Sequence, residues 1–176
     1  MTQTSSDLNL IFSRRSVREY QDRPVPRNLI EQLLAAAMAA PSACDEQPWH
    51  FIVVQRRDLL DGLATRHPYG TSVKGALLCI VPCVDLDLAI TRYEGEFWVQ
   101  DMSAATQNLL LAVGALGLGA VWIGTYPAMD RVEAVQEVLG LPEHVLPLCL
   151  VPVGYPLEEP EPRRRYDAGR VHFDAW

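Results

Sequence analysis

Lysine is almost absent from the chain. Lys74 is the only one in 176 residues, so nearly all of the positive charge is arginine. That excludes a surface of compact ammonium groups and favours planar guanidinium forks, which suit bidentate contacts with anions. The net charge is −7 and the isoelectric point lies near 5.0. Such a balance argues against nucleic acid as the main partner, because neutralising phosphates needs clustered cationic surface. The four cysteines, Cys44, Cys79, Cys83 and Cys149, form no CxxC pair and no Cys/His spacing of the zinc kind, so no metal site is expected. No uninterrupted apolar run reaches the ~20 residues a membrane helix needs, and residues 1–9 lack the apolar core of a secretory signal. These absences predict a soluble, reduced, cytoplasmic protein with neither membrane nor nucleic acid among its partners. A Ser/His/Asp or Cys/His catalytic constellation is missing as well, and none of the four histidines stands out; His50 and His67 read as packing or turn residues.

What is present is enough for a core. Hydrophobic residues make up 49% of the chain and charged residues 21%, which fits one domain over residues 1–176 with no linker or repeat. Ser6 or Asp7 is placed to cap a short first helix with Leu8, Ile11 and Phe12 facing inward. After the Pro24-Val25-Pro26 break, Leu29, Ile30, Leu33, Leu34 and Ala37 repeat at helical spacing, and Pro41 ends that helix. Residues 50–55 read as a strand and 58–65 as a short helix. Residues 76–84 form an apolar strand that Pro82 would place at a sheet edge, with Cys79 and Cys83 as core packing. A long, mostly apolar helix is expected from about residue 96 to 116, then a short strand over 120–123. A helix capped by Asp130 ends at Gly140, and residues 146–153 form the last strand. Helices interleaved with few strands predict an α/β or α+β fold in three layers.

Three segments carry the chemistry. In Arg14-Arg15-Ser16-Val17-Arg18, three of five residues are arginines. They are either a solvated basic turn complementing a helix C-terminus or one wall of an anion site. The second basic cluster, Arg163-Arg164-Arg165, could converge with them on one phosphate. Pro41-Ser42-Ala43-Cys44-Asp45-Glu46-Gln47-Pro48-Trp49 is either a rigid connection or a loop offering the Ser42 hydroxyl, Asp45 and Gln47 to a heterocycle's edge. Gly117-Leu118-Gly119, followed by Trp122-Ile123-Gly124-Thr125, would let backbone approach a ligand. It is not a dinucleotide-binding fingerprint, because the strand follows the glycines.

Taken together, these segments resemble the FMN-dependent nitroreductase family. The resemblance is carried by residues 14–18, by Ala40-Pro41-Ser42-Ala43 with Gln47-Pro48-Trp49-His50-Phe51, and by Gln107-Asn108. It continues through Gly117-Leu118-Gly119 with Trp122-Ile123-Gly124, and Pro152-Val153-Gly154-Tyr155-Pro156, over nearly the whole chain. It implies a mixed central sheet flanked by helices and an intertwined homodimer with FMN at the interface. Arg14 and Ser16, with Arg15, would contact the phosphate and ribityl region, and Arg18 the pyrimidine edge of the flavin. Pro41, Ser42 and Ala43 would cover the ring from the other subunit. Ile123, Gly124 and Thr125 would offer backbone on the opposite side, and Arg163 and Arg165 the remaining phosphate contacts. Where the family usually has asparagine, this chain has Asp45. A carboxylate cannot donate as an amide does, so Asp45 is expected to point away and leave Gln47 at the ring edge.

The implied activity is flavin-centred. NADH or NADPH would reduce the flavin, and a small planar acceptor of nitroaromatic or quinone type would reoxidise it from the same face, in ping-pong order. No side chain is expected to be catalytic in its own right, Arg18 acting electrostatically. Tyr93, Phe97 and Trp98 either wall the cleft or simply pack in the core. The alternatives are a specialised relative, such as a reductive dehalogenase or flavin oxidase, and an FMN-binding protein without turnover.

Overall fold

The computed structural model describes residues 6–90, 97–158, 161 and 165–176. Its elements are α1 (Ser6–Ser13), α2 (Arg27–Met38), β1 (Trp49–Val54), α3 (Arg57–Arg66), α4 (Thr71–Lys74) and β2 (Leu78–Asp85). They continue with α5 (Phe97–Ala115), β3 (Gly119–Ala120), β4 (Ile123–Gly124), α6 (Met129–Leu139), β5 (Val145–Pro147) and β6 (Cys149–Gly154). The sheet runs β1-β2-β6-β3, with β5 also on β2 and β4 also on β6. Every ladder among the described residues is antiparallel. The parallel component of the expected mixed sheet is confined to a single bridge, Ser16 to Ala120.

Alternation along the central strands divides the core in two. Leu78, Ile80 and Val84 face the cluster built by α2 and α5, whereas Cys79, Val81 and Cys83 face the cluster built by α3, α4 and α6. A sheet with helices on both faces gives three layers. Burial pushes the Cys79 and Cys83 thiols up to about 12, so both are inert packing groups. Pro82 is not at an edge. It lies on a central strand, where the second partner of β2 changes from β6 at Leu78–Ile80 to β5 at Cys83–Asp85. At that changeover a missing N–H costs no ladder bond, and its carbonyl still accepts from Leu148 N–H at 2.9 Å.

Two local expectations change. Asp130 does not cap α6; it sits inside the first turn, after Ala128. Leu8, Ile11 and Phe12 of α1 are 46%, 52% and 55% exposed rather than turned inward. The helix begins at Ser6, while the side chains of Ser6 and Asp7 lie outside the described set.

The basic segment after α1 is fastened to the sheet edge. Val17 N–H donates to Ala120 O at 2.8 Å, Gln21 N–H to Tyr155 O at 2.9 Å and Leu157 N–H to Glu19 O at 3.1 Å. The Tyr20 hydroxyl donates toward both Val17 O at 2.7 Å and Pro152 O at 3.1 Å, and burial raises its pKa far above the ordinary phenol value, so it stays a donor. The close approach requires glycine. A Cβ on Gly119 would lie 2.7 Å from Val17, and one on Gly154 would lie 3.0 Å from Tyr20. Gly119 therefore seats the arginine segment instead of a ligand. Gly119→Ala should cost about 1–3 kcal/mol, as overpacking of a tight contact does; a urea midpoint equal to the native one would refute this close packing.

Candidate functional site

Arg14 and Arg15 leave the end of α1 and, with Ser13, Val17, Gly114, Gly117 and Leu118, line a cleft of about 310 Å³. A neighbouring cleft of about 350 Å³ is lined by Ile11, Phe12, Arg14, Arg15, Arg165 and Tyr166. The expected convergence of the two basic clusters is therefore present for Arg165; Arg163 and Arg164 lie outside the described residues. Arg15 donates to the Glu161 carbonyl at 2.5 Å. Elsewhere the arginines are matched. Arg27, Arg56, Arg57, Arg66 and Arg170 pair with carboxylates, and Arg23 lies 3.8 Å over the Tyr155 ring. Among the described residues no carboxylate pairs with Arg14, Arg18 or Arg165. Arg14 and Arg165 line one cleft, and two guanidinium groups without a carboxylate partner among the described residues offer a site for an anion there. The carbonyl end of α5 at Gly114–Gly117 lies beside Arg14 and Arg15 and complements their charge.

The loop from Pro41 to Pro48 contains a single 3₁₀ turn, Ala43–Asp45. Three of its non-glycine residues are left-handed: Cys44 at φ 51°, Asp45 at 58° and Gln47 at 50°. Three side-chain contacts hold this conformation. Ala43 N–H donates to Asp101 Oδ1 at 2.8 Å, Gln47 N–H to Ser42 Oγ at 3.0 Å, and Gln47 Nε2 to Asp45 Oδ1 at 2.9 Å. Through that last bond the Asp45 and Gln47 side chains hold each other. Asp101 was not anticipated. It is buried, and it is the only charged residue of α5, which was the available signal. Asn108, part of the family-like pattern, donates to Ala36 O at 3.2 Å and ties α5 to α2.

In the third segment, Ile123 is buried in the α3/α6 cluster. Thr125 is committed within the chain: its N–H donates to Leu148 O, its carbonyl accepts from Ala128 N–H, and its hydroxyl is buried without a partner. Its backbone N–H is thus already engaged, and the hydroxyl is the group left without a partner. Gly124 differs. A Cβ there would meet nothing within 4 Å, and its φ is not positive, so the chain's own packing does not require glycine at this position. Its carbonyl accepts from His67 Nε2 at 3.2 Å and Arg131 Nη1 at 3.3 Å. Tyr69 N–H donates to His67 Nδ1 at 3.2 Å, which assigns the proton to Nε2.

Trp98 is a core residue, edge-on to Tyr126 at 4.6 Å, so it does not line an open cleft. Phe97 is half-buried at the start of α5, and Tyr93 lies outside the described residues. The basic corner and the Ser42 loop do not meet within one chain. The loop is anchored at Asp101 and the corner is lined by Gly114, thirteen residues along the same helix, or ~20 Å at 1.5 Å per residue. Asp85, Asp87 and His144 bring ligand atoms within 4.8 Å of one another at a separate turn, but Asp85 already accepts from Asp87 N–H and faces His50 at 3.5 Å.

These features define a three-layer α+β domain with an arginine-lined corner. The Nitroreductase family model matches residues 11–78 and 87–155, and the chain belongs to that family. A Methanothermobacter thermautotrophicus protein named "Putative NADH dehydrogenase/NAD(P)H nitroreductase" is 51% identical over 169 residues, covering 96% of this chain and 87% of the relative. A protein of the same name from Parabacteroides distasonis superposes with a TM-score of 0.93 at 42% identity, over 98% of this chain and all of that one. An FMN-dependent nitroreductase from Clostridium difficile R20291 gives 0.87 at 29% identity, over 96% and 99%.

Burial, and more weakly Arg131, lower the His67 pKa, while the Gly124 carbonyl and Asp130 act in the opposite sense. In the unfolded chain the imidazole protonates near ~6.5, whereas the folded ring stays neutral to lower pH. The unfolded state then binds more protons, so stability falls as pH drops below about 6.5 and levels off below the folded value. Urea midpoints should decline between about pH 7 and 5 more steeply in the native protein than in His67→Gln; parallel profiles would contradict the assignment.

Proposed function

We propose that the protein is an FMN-dependent oxidoreductase that takes reducing equivalents from NADH or NADPH and delivers them to a small planar acceptor of nitroaromatic or quinone type, in ping-pong order. The observation that carries this reading is the convergence of Arg14, Arg15 and Arg165 on one corner, with no carboxylate pairing Arg14 or Arg165 among the described residues. The residues present fit FMN on two counts: guanidinium groups for its phosphate, and open space over Gly124 that a side chain would otherwise fill. When bound, FMN supplies the hydride exchange between donor and acceptor.

The chain's own groups bind and orient. Arg14, Arg15, Ser16 and Arg165, with Arg163, hold the phosphate and ribityl end, and Arg18 provides positive charge beside the pyrimidine edge. Ile123 and Gly124 offer backbone to one face of the ring. Pro41, Ser42 and Ala43, with Asp45 and Gln47, cover it from a second copy of the chain. Two features support the homodimer. The loop and the basic corner stand at opposite ends of α5, so one chain cannot close a site between them. Leu8, Ile11, Phe12, Tyr166, Phe173 and Trp176 are exposed apolar groups at the two chain ends, as an interface between copies would bury. Four free cysteines accord with the cytoplasmic location expected.

Two measurements test this. Protein reconstituted with FMN should bleach anaerobically on adding NADH or NADPH and recover its colour with a quinone or nitroarene. Uptake of FMN without bleaching would indicate the non-catalytic alternative, and a preparation that takes up no FMN would sink the reading. Gly124→Ala should leave the apoprotein's stability within about 0.5 kcal/mol, as for an open site, while weakening FMN binding by about 1–3 kcal/mol through intrusion of the methyl. Native affinity in that variant would remove Gly124 from the site.

A further inference from the structure

We propose that His67 and Arg131 are positioning residues of the flavin site, holding the Gly124 backbone from behind; this rests on the reading above. The Gly124 carbonyl receives two donors from two different elements. His67 follows directly on α3, and Arg131 lies in the first turn of α6. The other end of the same peptide unit is also bound, Thr125 N–H donating to Leu148 O at 3.1 Å. A trans peptide is planar, with its C=O and N–H pointing opposite ways, so holding both ends fixes the rotation of the unit. This matters because β4 is only two residues long and pairs with β6 alone. Without the donors, its outward carbonyl would have no ladder to hold it.

The holding groups are themselves held. His67 is buried and uses both ring nitrogens, accepting from Tyr69 N–H and donating to Gly124. The turn that presents it is tight, since a Cβ on Gly70 would fall 2.4 Å from the Ala64 carbonyl oxygen. Arg131 lies 5.2 Å from the Tyr69 ring centroid, so the two donors share one support. On the side where a Gly124 Cβ would project there is open space. The peptide is therefore rigid toward the protein and bare toward whatever lies over it, as backbone that sets the height of a stacked ring must be.

His67→Leu removes both contacts of the ring while keeping an apolar side chain. His67→Gln retains a donor and an acceptor on one amide. In fluorescence titrations of the apoprotein, His67→Leu should bind FMN about three- to tenfold more weakly, the size of one lost hydrogen bond. The visible absorption bands of its bound flavin should also shift. His67→Gln should bring both readouts back toward the native values, which a role limited to global stability would not require. Native affinity and spectrum in His67→Leu would overturn the proposal, as would a His67→Gln variant no better than His67→Leu. Should His67→Leu fail to fold, Arg131→Met carries the same two readouts with the same directions. Native protein that takes up no FMN at all overturns the flavin reading itself, whereas native uptake with indifferent variants overturns only the role of His67 and Arg131.

Discussion

The bond from Val17 N–H to Ala120 O is the constraint on which the rest of the site depends. It lays the arginine segment along the short strand β3, and that is feasible only because Gly119 has no side chain to meet Val17. Tyr20 repeats the arrangement one step further on, over Gly154 and onto the Pro152 carbonyl. With the backbone fastened at both places, Arg14 and Arg15 leave the sheet at a fixed point beside the end of α5. A cation on a free turn would spread over many positions and pay side-chain entropy on binding. These two have much of that ordering done before a ligand arrives.

The Ser42 loop has a different energetic character. Left-handed non-glycine residues cost on the order of 1–3 kcal/mol each, and asparagine-like residues less than most. Cys44, Asp45 and Gln47 all adopt that conformation. Against this stand three hydrogen bonds of about 1 kcal/mol each, one of them to the buried Asp101 carboxylate, where a charged acceptor is worth more. The strain matches or exceeds what these bonds return. Such a loop holds its shape without being strongly favoured, and closing a second surface over it would tip the balance toward order. In the proposed homodimer, a second copy of the chain would supply that surface.

Much of this was legible in the sequence, and the failures share a cause. Helices α2 and α5 and strands β1 and β2 follow their apolar pattern to within a residue or two, whereas the single strand expected over 146–153 divides into β5 and β6 at Leu148. The convergence of Arg165 on Arg14 could be anticipated from charge alone in so acidic a chain. Pro82 was misplaced because a change of ladder partner part-way along β2 leaves no trace in one sequence. Leu8, Ile11 and Phe12 were turned inward because apolar spacing says that a face is covered, not whether the same chain covers it. Gly119 and Gly124 look alike as letters. Only the space around them separates the glycine that its own neighbour demands from the glycine that nothing in the chain requires. His67 is a buried turn residue, as expected, but its bond to a carbonyl 57 residues away leaves no trace in the sequence.

Charge then explains why a protein of net charge −7 can serve anionic ligands. FMN and the nicotinamide dinucleotides are both anions, and a uniformly acidic surface would repel them. Surface fields, however, fall off over roughly 8 Å at physiological salt, so local composition outweighs the total. Five of the described arginines, Arg27, Arg56, Arg57, Arg66 and Arg170, are paired with carboxylates where they stand. Among the described residues no carboxylate pairs with Arg14 or Arg165, and Arg14 gains the carbonyl end of α5 as a neighbour. The corner is thus a positive island in a negative field, where an approaching phosphate is drawn to one place and discouraged elsewhere. Arginine rather than lysine suits that task, because a fork keeps its donors in plane with two phosphate oxygens while a point charge does not. The scarcity of lysine and the fixed backbone at Val17 therefore serve the same end: planar guanidinium groups held in place.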